Sequence, residues 1–444
     1  MTLNEILQKF DKANVTRVKL GTFDIDGVLR GKHVSRQKFE SAAATGLGFC
    51  DVIFGWDIGD VLYDKVPVTV TGWHTGYPDA TARVDLESFR LIPWEAGTAF
   101  FLLDLFDKNG EPLPMAPRQV LRRVLARAPS DVYLSAEYEF FLFRETPQSL
   151  RDKSYLGLTS LSPGMFGYSV LRASANSPVV LDLFDQLAAF NISLEGLHTE
   201  TGPGVFEGAI AVDHALAAAD KAALFKTAVK EICSRHQILP TFMAKWSPDL
   251  PGSGGHIHQS LWNMGRNIFH GDGVPSPTML SYIAGLIRNL TDFMPLFCPT
   301  INSYKRIVPG TWAPINATWG IDNRTAAVRA IPGSAKSARV EMRVTGADGN
   351  PYLAMAACVA AGLDGIANEL EPPSPVTNAY EQPGATPLPR TLAEATSNFY
   401  NSARARDWFG DAFVEHFAAT RQWEIQQFNK AVTNWELSRY FELI

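Results

Sequence analysis

A chain of 444 residues with 46% hydrophobic and 19% charged side chains has the composition of a globular protein that buries a large core, which excludes a disordered chain. At about 100–200 residues per domain it has room for two or three units. Its 40 lysines and arginines against 46 aspartates and glutamates leave a net charge of −6, so the chain as a whole gives no electrostatic reason to expect nucleic acid or an anionic membrane as partner.

In chain order, residues 1–19 predict an amphipathic, charged helix without the apolar region of a signal peptide, and no apolar run reaches the roughly 18 residues of a membrane span. A soluble, cytoplasmic protein with no membrane partner is expected. The cysteines at 50, 233, 298 and 358 form no CxxC pair, which argues against zinc knuckles and a disulfide framework and suits a reducing compartment. Residues 16–34 alternate around a turn and predict a β-hairpin. A Gly/Asp-rich stretch follows over 51–79, and residues 80–94 and 97–107 read as further strands. Pro112, Pro114 and Pro117 then punctuate the chain, with Pro117 suited to the first position of a helix. The boundary is therefore placed between a domain over 1–107 and a second over 108–444.

The hairpin carries a decoy. Residues 23–29, FDIDGVL, match the opening motif of haloacid-dehalogenase-type phosphatases, and Gly59 to Asp64 match their GDxxxD metal motif. In that family the first aspartate follows a strongly apolar buried strand, whereas TRVKLGT is half polar, and only about 30 residues separate the two signals. A turn built on Asp-Gly chemistry explains the motif better.

Beyond residue 108, helices are expected over Asp213–Arg235, Thr278–Asp292, Pro351–Glu369 and Ala412–Val432. The intervening strands show no regular βαβ rhythm, so the fold class is α+β and not a doubly wound parallel sheet. The Pro-rich residues 371–389 read as a surface excursion. Three short stretches alternate polar with apolar residues: Glu137 and Glu139; His256, His258 and Ser260; Arg339, Glu341 and Arg343. On a β-strand, positions i and i+2 share a face, so each stretch would aim its polar side chains into one space, as walls of a metal and phosphate site.

With Glu200 and Glu207 in HTETGPGVFEG, then GSGGHIHQSLW, NSYKRIVPG, NRTAAVRAIP and KSARVEMRVTGADGNPYL, these blocks in this order resemble the glutamine synthetase superfamily. The resemblance implies a β-grasp-like N-terminal domain and a catalytic domain with a curved antiparallel sheet flanked by helices. It implies ATP and two divalent ions, with Glu139, Glu200 and Glu207 holding one ion and Glu137, His256 and Glu341 the other. Five carboxylates and one imidazole form an oxygen-rich set that suits Mg²⁺ or Mn²⁺ over zinc or copper. Arg324, Arg329 and Arg339 match residues that contact nucleotide phosphates or the transferred phosphoryl group. His258, Ser260 and Lys336 match nucleotide-side positions, and Arg306 with Arg343 the clamp on the α-carboxylate of glutamate.

The implied chemistry is phosphorylation of the glutamate γ-carboxylate, followed by displacement of phosphate by a nitrogen nucleophile. Arg324, Asp57 and Glu200 are its expected catalytic residues. Ammonia-using members carry a VPGxEAP flap, and here Trp312 replaces its glutamate. Trp312 either packs the loop or stands at the nucleophile's entrance. Pro251 also replaces the family's asparagine before Gly252, which bears on how the glutamate amino group is held. Tyr168 and Asp79 match positions near the ammonium pocket, and Asp57 corresponds to an acidic residue offered by a neighbouring subunit. Phe54, Trp56 and Trp312 would give an aromatic approach. The pattern is similar to the γ-glutamyl-amine ligases, with a bulky apolar or aromatic amine, or a polyamine, as second substrate. Ammonia use and a catalytically silent relative are the alternatives. Family sites form between subunits of a ring, so a homo-oligomer, hexamer or dodecamer, is expected. Tyr380 lies where some members carry a nucleotidylated tyrosine, and is read here as a plain surface residue.

Overall fold

The computed structural model describes residues 1–63 and 70–444, so Asp64 of the decoy motif lies outside the described residues. The first helix, Leu3–Lys12, is opened by a capping box between Thr2 and Glu5 and buries Ile6 and Phe10. Strands β1 (Arg17–Phe23), β2 (Leu29–Ser35), β3 (Leu47–Cys50), β4 (Asp79–Val84), β5 (Arg90–Leu91) and β6 (Thr98–Phe106) form one sheet. Its order is β2-β1-β6-β4-β3, with β5 also on β6, and β1 runs parallel to β6.

The β1–β2 turn explains the decoy. Asp24 Oδ1 accepts the N–H groups of Asp26 at 3.0 Å and Val28 at 2.9 Å, and Gly27 takes the left-handed conformation the turn requires. The aspartate builds a turn.

Period-2 alternation in β6 divides the interior. Ala99, Phe101, Leu103 and Leu105 pack with Phe10 and Phe39 in an N-terminal cluster. Phe100 and Leu102 face the other way and join Phe23 and Ile25 in the large core shared with the rest of the chain. Buried Arg118 crosses the same seam, pairing with Asp104 of β6 and with Asp220 of the helix Ala215–Arg235, each at 2.8 Å.

The second sheet contains β7 (Asp131–Phe143), β8 (Leu194–Thr199), β9 (Val205–Ile210), β10 (Asp213–His214), β11 (Leu239–Thr241), β12 (Gly255–Asn263) and β13 (Arg266–Asn267). After a separate small ladder of β14 (His270–Gly271) and β15 (Val274–Pro275), it is completed by β16 (Trp319–Ile321), β17 (Val328–Ile331) and β18 (Arg339–Met342). Its main path is β16-β17-β18-β12-β7-β9-β8. All pairs are antiparallel except the short edge pair β16–β17, so the expected antiparallel sheet carries one parallel pair at its edge.

Helices cover the apolar side of this sheet. Pro277–Phe297 runs through Pro295 and so ends five residues beyond the expected Asp292. Asp213 and His214, expected within a helix, instead pair with Leu134 and Tyr133 of β7. The helices Pro277–Phe297 and Pro351–Ala367 touch at glycines: a Cβ on Gly285 would lie 2.1 Å from Ala361 O, and one on Gly365 2.0 Å from Ser281 O. Only glycine permits that crossing, which fixes the layer behind the site. Among the described residues, no helix is long and apolar enough to cross a membrane.

Candidate active site

The three alternating stretches are β7, β12 and β18, and they are neighbours in the sheet. Their register sets Glu137 opposite His256, His258 opposite Glu341, and Glu341 opposite Arg329 of β17. On the other side of β7, Glu139 faces Glu207 of β9, which in turn faces His198 of β8. A single polar face thus collects side chains from six strands.

Two joined cavities lie over this face. One, of about 850 Å³, has all six expected metal ligands in its wall, together with Tyr168, Gly252, Trp312, Arg324, Arg329 and Arg343. The other, of about 940 Å³, is lined by Ser260 and Lys336 and shares Glu137, His258 and Arg339 with the first.

Electrostatics divide the carboxylates. Glu341 is 1% exposed and held between Arg343 and Arg329, the latter at 3.0 Å. Burial alone would raise its pKa, but Arg343, then His256 and His258, outweigh it and bring it down to about 2. Glu137 is held far below the usual range because His256 and His258 overcome its burial. Glu207 goes the other way: burial, then Glu137, Glu139, Glu200 and Glu341, push it up to about 9. In the absence of a cation this cluster keeps a proton on Glu207 at neutral pH.

Three groups have ligand atoms within 4.8 Å of one another: Glu137, His256 and Glu341; Glu139, Glu207 and His256; His198, Glu200 and Glu207. The first is one of the two expected triads. The second expected triad divides, because Glu200 turns toward His198 Nε2 at 3.2 Å while Glu139 accepts the Gly254 N–H at 2.8 Å. His258 lies between Arg339, whose Nε is 3.2 Å from its Nδ1, and Glu137, 3.0 Å from its Nε2.

Arg306 is not in the cavity wall. It is buried beneath the Gly252–Gly254 segment, where its fork donates to the carbonyls of Val344 at 3.0 Å and Arg343 at 3.2 Å. Of the two arginines expected to form the clamp, Arg343 lines the cavity and Arg306 holds the backbone that carries it. Asp57 and Asp79 also line neither cavity of their own chain. Asp57 accepts the N–H groups of Gly59 at 2.9 Å and Val61 at 3.0 Å, and the Trp423 indole at 2.9 Å, while Asp79 is exposed on β4. Phe54, expected along the amine approach, is fully buried in the N-terminal cluster, and Trp56 lies under Arg30 at 5.2 Å.

Trp312 is 65% exposed with φ +60°, a left-handed backbone rare for so large a residue. Within its own chain the indole is therefore packed into no core. Tyr380 is half-buried, not a plain surface residue: its hydroxyl donates to Ala313 O at 3.2 Å, which anchors the flap just past Trp312. Sequence reasoning missed His198, which stacks on Tyr168 with centroids 4.4 Å apart and planes at 12°. The His198-Thr-Glu200 alternation was the available signal.

A sheet face of carboxylates, imidazoles and arginines around joined cavities defines an enzyme of the carbon–nitrogen ligase class once its sequence is compared. The profile of the glutamine synthetase catalytic domain matches residues 114–440, and the chain belongs to the glutamine synthetase family, whose enzymes use ATP and divalent metals. It is 48% identical over 440 residues to type-1 glutamine synthetase 2 of Dictyostelium discoideum, covering 96% of this chain and 84% of that one. It is 39% identical over 445 residues to glutamate–isopropylamine ligase of a Pseudomonas species, covering 98% and 96%. To gamma-glutamylethanolamide synthetase GlnA4 of Streptomyces coelicolor it is 38% identical over 435 residues, covering 97% and 93%. The solved structure of a GmaS/ADP complex superposes with a TM-score of 0.86 at 29% identity, covering 99% of each chain.

Proposed function

We propose that this chain joins the γ-carboxylate of glutamate to an amine larger than ammonia, using ATP and passing through γ-glutamyl phosphate. The observation that carries this reading is the exposed Trp312 in the cavity wall, where ammonia-using relatives have a flap glutamate. Two relatives bear amine-ligase names, while the name of the 48% identical relative favours ammonia as the second reading.

The donor set fits divalent cations, since five crowded carboxylates force a proton onto Glu207 unless positive charge is supplied. Glu137, His256 and Glu341 would hold one ion, and Glu139, Glu200 and Glu207 the other. When bound, such ions neutralise phosphate charge. The nucleotide would occupy the cleft of His258, Ser260 and Lys336, with Arg329 and Arg339 at its phosphates. Arg343 would hold the glutamate α-carboxylate over Gly252. The γ-carboxylate oxygen bonds to the terminal phosphorus of ATP as ADP leaves, while Arg324 bears the charge spreading over the transferred group. The amine nitrogen then bonds to the acyl carbon, phosphate departs, and Asp57 of a neighbouring subunit takes the amine proton.

The test is glutamate-dependent phosphate release from ATP across ammonia, ethanolamine, putrescine, spermidine and phenylethylamine. The highest kcat/KM is expected with phenylethylamine. Turnover with ammonia alone would establish the second reading, and turnover with none would make the chain a silent relative.

A pH dependence accompanies the carboxylate cluster. Binding of Mg²⁺ or Mn²⁺ must displace the Glu207 proton, so affinity is expected to rise with pH toward about 9, with proton uptake by buffer during titration calorimetry near neutral pH. The metal-free protein should do the opposite. A carboxyl whose folded pKa exceeds its unfolded value of about 4.3 costs stability on ionising, so metal-free stability falls as pH rises through that window. A pH-independent affinity would contradict the Glu207 assignment.

The division at 107/108 into an N-terminal and a catalytic domain, a cytoplasmic location and a homo-oligomeric ring belong to the same reading. Support for the ring comes from the helix Asn434–Tyr440, which buries no residue of its own, and from Val432, Trp435, Phe441 and Leu443, all at least 60% exposed. Deleting residues 431–444 is expected to lower the assembly mass measured by analytical ultracentrifugation. An unchanged mass would remove this segment from the interface.

A further inference from the structure

The catalytic cavity continues in two directions. Toward Glu137, His258 and Arg339 it joins the cleft of Ser260 and Lys336. On another side, it shares Trp312 and Arg324 with a groove of about 580 Å³. We propose that this groove seats the apolar tail of a monoamine, the nitrogen lying on the catalytic side of Trp312 and the tail beyond it. The inference rests on the amine-ligase reading and narrows it from amines in general to those with one charge and an apolar tail.

Continuity is the first argument. A second substrate must present its nitrogen beside Arg324 while the nucleotide fills the other opening, and the groove is the adjoining space that the same two residues also line. The second is lining chemistry. Ile321 is 49% exposed and Trp312 65%, and Pro375 and Val376 complete an apolar wall that water alone would cover in the free protein.

Charge supplies the third. Asp322 is the single carboxylate among the lining residues, and it already pairs with Arg329 at 3.2 Å. A distal ammonium would meet only a carboxylate already shared with Arg329, and Arg324 would repel it. The groove therefore selects against diamines and polyamines.

The wall is also preformed. Val376 N donates to Trp319 O at 2.8 Å, Asn323 Nδ2 donates to the carbonyls of Val376 at 2.7 Å and Thr377 at 2.9 Å, and the Trp319 indole donates to Pro373 O at 2.6 Å. The Pro-rich excursion is thereby held against the flap side of the sheet, so a tail enters without ordering a loop.

Hexylamine and 1,5-diaminopentane, nearly equal in length, separate tail apolarity from size, and methylamine has no tail. In the full-length enzyme, kcat/KM for hexylamine is expected to exceed that for the diamine by at least about tenfold. Thr377→Trp fills the groove from an exposed position where the fold tolerates it. It is expected to lower hexylamine kcat/KM about tenfold while methylamine stays within about twofold and the KM for glutamate is unchanged. Val376→Asp places an anion in the wall and is expected to raise the diamine relative to hexylamine. Equal effects on methylamine and hexylamine, or no effect on either, would overturn the groove assignment while leaving the amine-ligase reading intact. Wild-type turnover of ammonia alone, by contrast, would overturn both.

Discussion

Replacing Glu139 by alanine is expected to reduce glutamate-dependent phosphate release by at least about a thousandfold, because losing one ligand from a cation site forfeits several kcal/mol of charge stabilisation, at about 1.4 kcal/mol per decade. The unfolding temperature should stay nearly unchanged. Glu139 is half-buried, its carboxylate accepts one backbone N–H from Gly254, and its nearest partner across the sheet is the like-charged Glu207. Removing it loses that hydrogen bond but relieves the repulsion, two effects of opposite sign and comparable size. Glu139→Gln separates them, since the amide oxygen can still accept from Gly254 while the charge is gone. Activity retained in both variants, measured beside thermal unfolding, would remove Glu139 from the site.

The polar face was legible because β-strand periodicity is local. Glu137 and Glu139 must share a side whatever strand lies beside them. Register is not local. That Glu137 lies opposite His256 and Glu139 opposite Glu207 depends on how distant strands pair, which tertiary packing decides. The same limit hid His198, whose significance comes from facing Glu207 and stacking on Tyr168.

Residue type alone also cannot say which way a side chain faces. Arg306 has the chemistry of a carboxylate clamp, yet its guanidinium is occupied by the carbonyls of Val344 and Arg343. Phe54 and Trp312 are both aromatic, but one is fully buried in the N-terminal cluster and the other is exposed on the flap. The Asp57 carboxylate, close in sequence to Phe54, closes a turn and meets Trp423 of the helix Asp411–Lys430. It lines neither cavity of its own chain, so the proton-accepting role proposed for it requires a neighbouring subunit.

Trp312→Glu should redirect the enzyme toward ammonia. An indole offers no charge to an ammonium ion, whereas a carboxylate at the same point forms charge-assisted hydrogen bonds of about 1.5–3 kcal/mol. The substitution also removes an apolar wall shared by the catalytic cavity and the groove beside it. Both effects act in the same direction, so the ratio of kcat/KM for ammonia to that for phenylethylamine is expected to rise about a hundredfold. Backbone strain does not confound the comparison, because glutamate gains no more from φ +60° than tryptophan does, and the Tyr380 bond to Ala313 O holds the flap in either case. Trp312→Ala isolates the wall: it should lose phenylethylamine without gaining ammonia. If Trp312→Glu leaves the ratio unchanged, Trp312 does not choose the nucleophile, and the role proposed for it falls.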